Sequence, residues 1–166
     1  MRSVICALIV TLTGVAILGS ALASDQKQEV PTPNAGSAAT QLDLPDDLRG
    51  KLIGEMKMVV KRMGVLLRHL STGDAQKAGT TAGTIRDTFI LKKGLTQEER
   101  ERFDSLIPKD FVKREQAFQG ELEKLLADLE TEDFSSAIQR FAAMGQACLA
   151  CHATFATERF PGLAGK

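Results

Sequence analysis

The chain has 166 residues, and its 21 basic residues balance its 21 acidic residues. Because no basic excess creates a field that attracts nucleic acid, we expect no nucleic-acid partner. The length suits one domain with a single core. The sequence has neither Trp nor Tyr, so eight Phe residues supply its aromatic bulk.

Residues 1–23 have the pattern of a secretory signal peptide. Arg2 gives a basic start, residues 4–18 are apolar, and Ala23 ends a small-x-small cleavage site. An uncleaved membrane anchor is the alternative, but the apolar run is short for a span of about 20 residues. We therefore expect export to the periplasm and no stable membrane insertion after cleavage. The mature chain would begin at Ser24.

The mature sequence divides into a tether, a folded domain and a tail. Residues 24–41 are polar and rich in helix breakers, which is typical of a disordered tether. Residues 42–160 form the predicted domain, and residues 161–166 form the tail. No segment of the domain alternates with the period of two expected of a strand.

Apolar residues in the domain recur at intervals of four and three, which predicts amphipathic helices. We expect helices over about 43–70, 74–92, 108–130 and 133–155, with a short helical connector over 96–103. Mostly short connections predict an all-α, antiparallel up-down-up-down four-helix bundle. The stripe positions are Leu52, Met56, Val59, Met63, Leu66 and Leu70; Ala78, Ala82, Ile85 and Phe89; Phe111, Phe118, Leu122, Leu125 and Leu129; and Phe134, Ile138, Phe141, Gly145, Cys148, His152 and Phe155.

The only Cys residues of the mature chain lie in the motif Cys148-Leu149-Ala150-Cys151-His152. The Cys-x-x-Cys-His pattern is the attachment signature of a c-type haem. On a helix, residues three and four apart share a face, so both thiols can reach the vinyl groups along one haem edge while His152 faces the iron. Gly145, one turn earlier, leaves space for a bulky group or allows close helix packing.

Other uses of a Cys pair fit this sequence less well. A disulfide across three helical residues closes a small loop and stabilises little. A zinc site needs about four protein ligands, and His69 is the only other His. A redox dithiol would need the strand-to-helix context of a thioredoxin-like fold, and it remains the second interpretation.

A haem motif on the last helix of a bundle resembles the class II cytochromes c, meaning cytochromes c' and their low-spin relatives. Residues 56–66 are similar to the family's first helix, with Met56-Lys57, Arg62-Met63-Gly64 and Leu66. Residues 148–155 fit its Cys-x-x-Cys-His-x-x-Phe ending, so Phe155 is expected beside the haem. The resemblance covers most of residues 44–155.

Two positions depart from the family pattern. The family often has Arg one turn before the distal residue and a basic residue after the final aromatic, where this chain has Leu52 and Ala156. Arg49 and Arg159 are the alternative partners of the haem propionates, or they are solvated surface residues.

The resemblance implies that Met56 binds the iron opposite His152, as a first-helix Met does in the low-spin relatives. Met56 and Met63 differ by about 20° around the helix but about 10 Å along it, so only one can face the iron. Met58 lies about 200° away from Met56. A Met on a helical stripe is also commonly core filler.

Ligation by His and Met implies a periplasmic electron carrier with one haem c, redox partner proteins and no enzymatic activity. If Met56 only packs beside the iron, the alternative is a five-coordinate, high-spin cytochrome c' that binds nitric oxide or carbon monoxide. Its apolar pocket would include Leu52, Val59 and Phe89. The resemblance also implies a homodimer. A haem-free helical interaction module is the third interpretation, and it requires unmodified thiols.

Overall fold

The structure is a computed structural model that describes residues 41–87 and 94–163. These ranges are all-helical, with no strand, and no helix in them is long and apolar enough to cross a membrane. The helices are α1 (Asp46–Ser71), α2 (Ala75–Asp87), α3 (Gln97–Leu106), α4 (Lys109–Glu130) and α5 (Phe134–Phe155), followed by a short 3-10 helix over Pro161–Leu163.

Some sequence predictions fall outside the described residues. These are the signal peptide over residues 1–23, the tether up to residue 40, the tail over 164–166, and the end of the second helix with its stripe residue Phe89.

The helix ends lie close to the predicted positions because local capping groups define them. Thr96 Oγ1 accepts a bond from the Glu99 N–H at 3.2 Å, and the Thr96 N–H donates to Glu99 Oε2 at 2.9 Å. This reciprocal pair satisfies two of the free N–H groups at the start of α3. Asp133 caps α5 in the same way, since its Oδ1 accepts from the Ser136 N–H at 3.0 Å. The connector α3 continues three residues beyond the predicted end, to Leu106.

The four long helices pack in a ring of neighbours: α1 contacts α2, α2 contacts α4, α4 contacts α5, and α5 contacts α1. The predicted stripes of α2 and α4 are buried wherever they are described, whereas in α1 three stripe residues are buried and Leu52, Met56 and Met63 are partly exposed. The buried stripe residues are Val59, Leu66 and Leu70; Ala78, Ala82 and Ile85; and Phe111, Phe118, Leu122, Leu125 and Leu129.

The buried face of α5 is rotated by about one residue from the predicted stripe. Ile138 is 39% exposed, whereas Ala137 and Met144 are completely buried. The observed stripe runs through residues 137, 141, 144, 148, 151 and 155, so His152 lies at its edge. A Cβ at Gly145 would meet no described atom within 4 Å outside its own helix, which rules out close helix packing as the reason for this glycine.

The buried side chains form two clusters rather than one continuous core. The larger cluster joins α1, α2, α4 and α5 and contains Leu66, Leu122 and Met144. The smaller cluster joins the extended segment 41–45 to α1, α3, α4 and the end of α5, and it consists of Leu42, Leu44, Leu48, Phe103, Phe111 and Phe155. Each fully buried Leu or Phe contributes about 1.5–3 kcal/mol, so both clusters stabilise the fold.

Candidate functional site

A largely apolar pocket of about 390 Å³ lies where the two clusters meet. Val59 and Phe118 from the larger cluster line it, together with Leu42, Phe111 and Phe155 from the smaller one. Its volume is within the range of about 300–1,000 Å³ found for ligand and cofactor sites. The pocket therefore interrupts the hydrophobic core, in a place where side chains alone do not fill the space.

Six of the seven residues that the sequence singled out line this pocket. Leu52 and Met56 approach it from α1, one turn apart, and the other four are on α5. The α5 residues are Cys148, Cys151, His152 and Phe155. The structure thus brings the motif and the proposed distal Met to the same pocket.

The two thiols are free, half-buried and placed at the junction of the clusters. Cys148 packs against the larger cluster and Cys151 against the smaller one. Burial raises the pKa of both thiols, that of Cys151 to about 11, although the nearby Arg114 opposes the shift at Cys151. Reactive dithiols have lowered thiol pKa values, so this environment disfavours the redox-dithiol interpretation.

His152 lines the pocket while its ring stacks on Phe160, with the centroids 4.5 Å apart and the planes 17° from parallel. Burial, and secondarily the charge of Arg159, lowers the pKa of the imidazole. The neutral ring is therefore favoured at physiological pH, and neutral imidazole is the form that binds a metal.

Phe155 joins the pocket to the smaller cluster. Its ring packs edge-on against Phe111, with centroids 5.5 Å apart and an interplanar angle of 68°, and the Arg114 guanidinium lies 5.9 Å from the ring centroid. The carbonyl of Phe155 accepts a hydrogen bond from the Leu42 N–H at 3.0 Å, so the segment before α1 closes this end of the pocket.

Arg49, which the sequence analysis offered as a propionate partner or as a solvated surface residue, does not line the pocket. Its guanidinium donates to the Leu44 carbonyl from Nε at 3.2 Å and from a terminal nitrogen at 2.9 Å, and it pairs loosely with Asp43. No side chain caps the start of α1, where Pro45 occupies the N-cap position. Arg49 therefore bonds to backbone at this helix start rather than to a group in the pocket.

The sequence analysis missed several pocket residues. Arg114 had a usable signal, because it is a charged residue three positions after Phe111 and four before Phe118, on the buried side of α4. Leu42 and Phe160 had no such signal, since they reach the pocket through irregular segments at the two ends of the domain. The other missed lining residues are Ile53, Lys57, Val60, Glu115 and Ala147.

The residues around the pocket fit a covalently attached haem. They supply two thiols, an imidazole and a thioether within a mostly apolar wall, which is the donor set of a c-type site. Glu115 Oε1 is buried at this wall with no hydrogen-bond partner among the described residues, and water or a bound group normally satisfies such an acceptor. Residues 41–87 and 94–163 contain no group of three or more His, Cys, Asp or Glu side chains that could hold a bare metal ion.

Comparisons with protein-family models, with curated proteins and with solved structures found no match to this chain.

Proposed function

We propose that this protein is a periplasmic electron carrier of the class II cytochrome c type, with one haem c attached through Cys148 and Cys151. The observation that carries the proposal is the pocket between the two core clusters, which both thiols, His152 and Met56 line together. A haem would fill the space that interrupts the core, and the raised thiol pKa values disfavour the rival dithiol function.

The proposal includes an antiparallel up-down-up-down arrangement of α1, α2, α4 and α5. The ring of neighbouring helices supports it. Three residues separate α1 from α2, and three separate α4 from α5, and such short connections favour antiparallel neighbours. In this arrangement α1 and α5 lie side by side, so that a cofactor between them meets His152 from one helix and Met56 from the other.

Each residue has a specific role in the proposed site. If haem is bound here, Cys148 and Cys151 would attach it covalently, His152 would supply an imidazole to the iron, and Met56 would supply a thioether. Leu52 and Phe155 belong to the apolar wall that excludes water. When bound, haem supplies an iron that alternates between the ferrous and ferric states. Ligands from His152 and Met56 that stay in place in both oxidation states would suit electron exchange with redox partner proteins.

Production in a host with haem maturation machinery tests the covalent attachment. We expect the denatured protein to retain haem, because thioether bonds survive unfolding. Haem that separates on denaturation would refute the attachment. We also expect a low-spin reduced spectrum that carbon monoxide does not change; a high-spin spectrum that shifts with carbon monoxide would replace electron transfer with binding of nitric oxide or carbon monoxide.

Substitution of Met56 by Ala tests the distal ligand. We expect Met56→Ala to convert the low-spin spectrum into a high-spin one that responds to carbon monoxide. Met63→Ala is the matched control, because Met63 packs against the larger cluster one heptad away and does not line the pocket. Equal spectra for wild type and Met56→Ala would remove Met56 from the ligand set.

A further inference from the structure

The charged residues that line the pocket are mostly cationic. Three cationic residues line it, namely Lys57, Arg114 and Arg159, against the single acidic residue Glu115. Asp110, which does not line the pocket, pairs with Arg114 and offsets part of this excess of positive charge. A mostly apolar wall with cationic side chains fits a flat apolar group that carries negative charges. Haem has this composition, because its macrocycle is apolar and its two propionates are anionic at neutral pH.

Arg114 is the best placed of the three cations. Its side chain is 19% exposed, and Asp110, one turn earlier on α4, holds its Nε at 2.9 Å. This bond uses one of the five N–H donors of the guanidinium, so donors remain for a ligand. The guanidinium lies against the Phe155 ring at 5.9 Å, which directs it along the pocket wall. The remaining donors belong to a planar fork, and such a fork suits a bidentate contact with a carboxylate.

Arg159 approaches the pocket from the segment that follows α5. Its guanidinium lies 5.9 Å from the centroid of the Phe160 ring, and Phe160 in turn stacks on His152. Backbone bonds from the Arg159 and Phe160 N–H groups to the Ala156 carbonyl hold this turn at 3.1 and 2.9 Å. Arg159 and Arg114 thus reach the pocket from different elements.

We propose that Arg114 and Arg159 bind the two haem propionates, and that Arg49 does not. The inference rests on the proposed haem function. Arg114 provides the more buried contact, and Arg159 provides a more exposed one that water screens. Together they take the place of the Arg that the related cytochromes carry one turn before the distal residue, where this chain has Leu52.

Reversible haem binding tests the two contacts directly. In a Cys148→Ala/Cys151→Ala background, the affinity for iron protoporphyrin IX is compared with that for its dimethyl ester, in which both carboxylates are neutral. We expect a preference for the free acid that falls about tenfold in Arg114→Gln and about threefold in Arg159→Gln, since charged hydrogen bonds contribute more when they are buried. Arg114→Lys should restore part of the preference.

Two matched controls separate direct contact from a general loss of charge. Lys113→Gln removes one positive charge next to Arg114 without touching the pocket, and Arg49→Gln tests the residue that the sequence favoured. Both variants should keep the full preference for the free acid. An equal preference in Arg114→Gln and wild type, or a loss of preference in Arg49→Gln comparable to that in Arg114→Gln, would overturn the inference.

The covalent holoprotein provides a second measurement in case the double Cys variant does not fold. The propionate bending bands of its resonance Raman spectrum report hydrogen bonding to the carboxylates. We expect these bands to shift in Arg114→Gln and Arg159→Gln but not in Lys113→Gln. Unchanged bands in a protein that retains covalent haem would refute only the propionate contacts, whereas a protein without covalent haem would refute the proposed function itself.

Discussion

Truncation of Phe155 should destabilise the haem-loaded protein more than the haem-free protein. The side chain is 5% exposed and packs edge-on against Phe111. Replacement of a buried Phe by Ala costs about 3–5 kcal/mol, a range that includes about 24 cal/mol for each Å³ of cavity left behind. Without haem, Phe155→Ala only enlarges a pocket that already exists, so we expect a loss of about 3 kcal/mol.

With haem in the pocket, the same truncation leaves a closed void between the macrocycle and the smaller cluster. The lost contacts then include those with the haem, and we expect a loss of about 4–5 kcal/mol. Urea unfolding followed by far-UV circular dichroism measures both values, with the haem-free form prepared as the Cys148→Ala/Cys151→Ala variant.

Leu125→Ala is the matched control for this comparison. Leu125 is completely buried in the larger cluster and does not line the pocket. Its truncation should therefore lower the free energy of unfolding by about 2–5 kcal/mol, and the loss should be equal with and without haem. If Phe155→Ala also costs the same with and without haem, the haem does not contact Phe155, and the assignment of the pocket to the cofactor is wrong.

Three further substitutions test local features of the helices. Gly145→Ala should raise the free energy of unfolding by about 0.5–1 kcal/mol, since its Cβ meets no described atom outside its helix; impaired haem attachment in this variant would instead show that the glycine leaves room for the cofactor. Thr96→Ala should cost about 1 kcal/mol in urea unfolding through loss of the cap, and an equal cost for Thr80→Ala, at an exposed position inside α2, would contradict this explanation. Hydrogen bonds from Ser136 lower the pKa of Asp133 below its ordinary value of 3.8. The stabilising effect of this carboxylate is therefore present above pH 3.8 and is lost as the pH falls through the lowered pKa. In an acid titration, the free energy of unfolding should change less with pH in Asp133→Asn, because Asn keeps a hydrogen-bond acceptor but does not titrate.

Features that depend on neighbouring residues could be predicted from the sequence. The starts of α3 and α5 follow from capping groups within three residues, at Thr96 and Asp133. The stripes of α2 and α4 follow from a regular repeat of apolar side chains. The motif from Cys148 to His152 is equally local, because three and four residues along a helix place side chains on one face whatever the rest of the chain does.

The α5 stripe shows where a local pattern becomes ambiguous. The predicted and observed stripes share Phe141, Cys148 and Phe155, and they differ by one residue at the positions between them. Both have intervals of four and three, so periodicity alone does not choose between them. The packing against α4 decides, because it buries Met144 completely and leaves Ile138 at the surface.

The partners of the charged residues were beyond the reach of sequence reasoning. Arg49 lies at a position consistent with the pocket, but the Leu44 carbonyl just before α1 accepts its guanidinium, and no periodicity reveals this contact. Arg114 lies 45 residues before Arg159 in the chain, and only the packing of α4 beside α5 brings both to one pocket. Contacts between distant segments depend on how the helices pack, which a single sequence does not specify.

Because the core is divided into two clusters, the proposed covalent attachment would have a structural consequence beyond retention of the cofactor. Cys148 contacts the larger cluster and Cys151 the smaller one, so thioether bonds at both residues would fix the haem to each side of the gap. A rigid macrocycle in that gap adds apolar contacts to both clusters and links them through one body. Without it, the smaller cluster depends on few contacts and should open at lower denaturant concentration than the larger one. Haem attachment should therefore make the unfolding of the two clusters a single transition, because neither could open without exposing the macrocycle that they share.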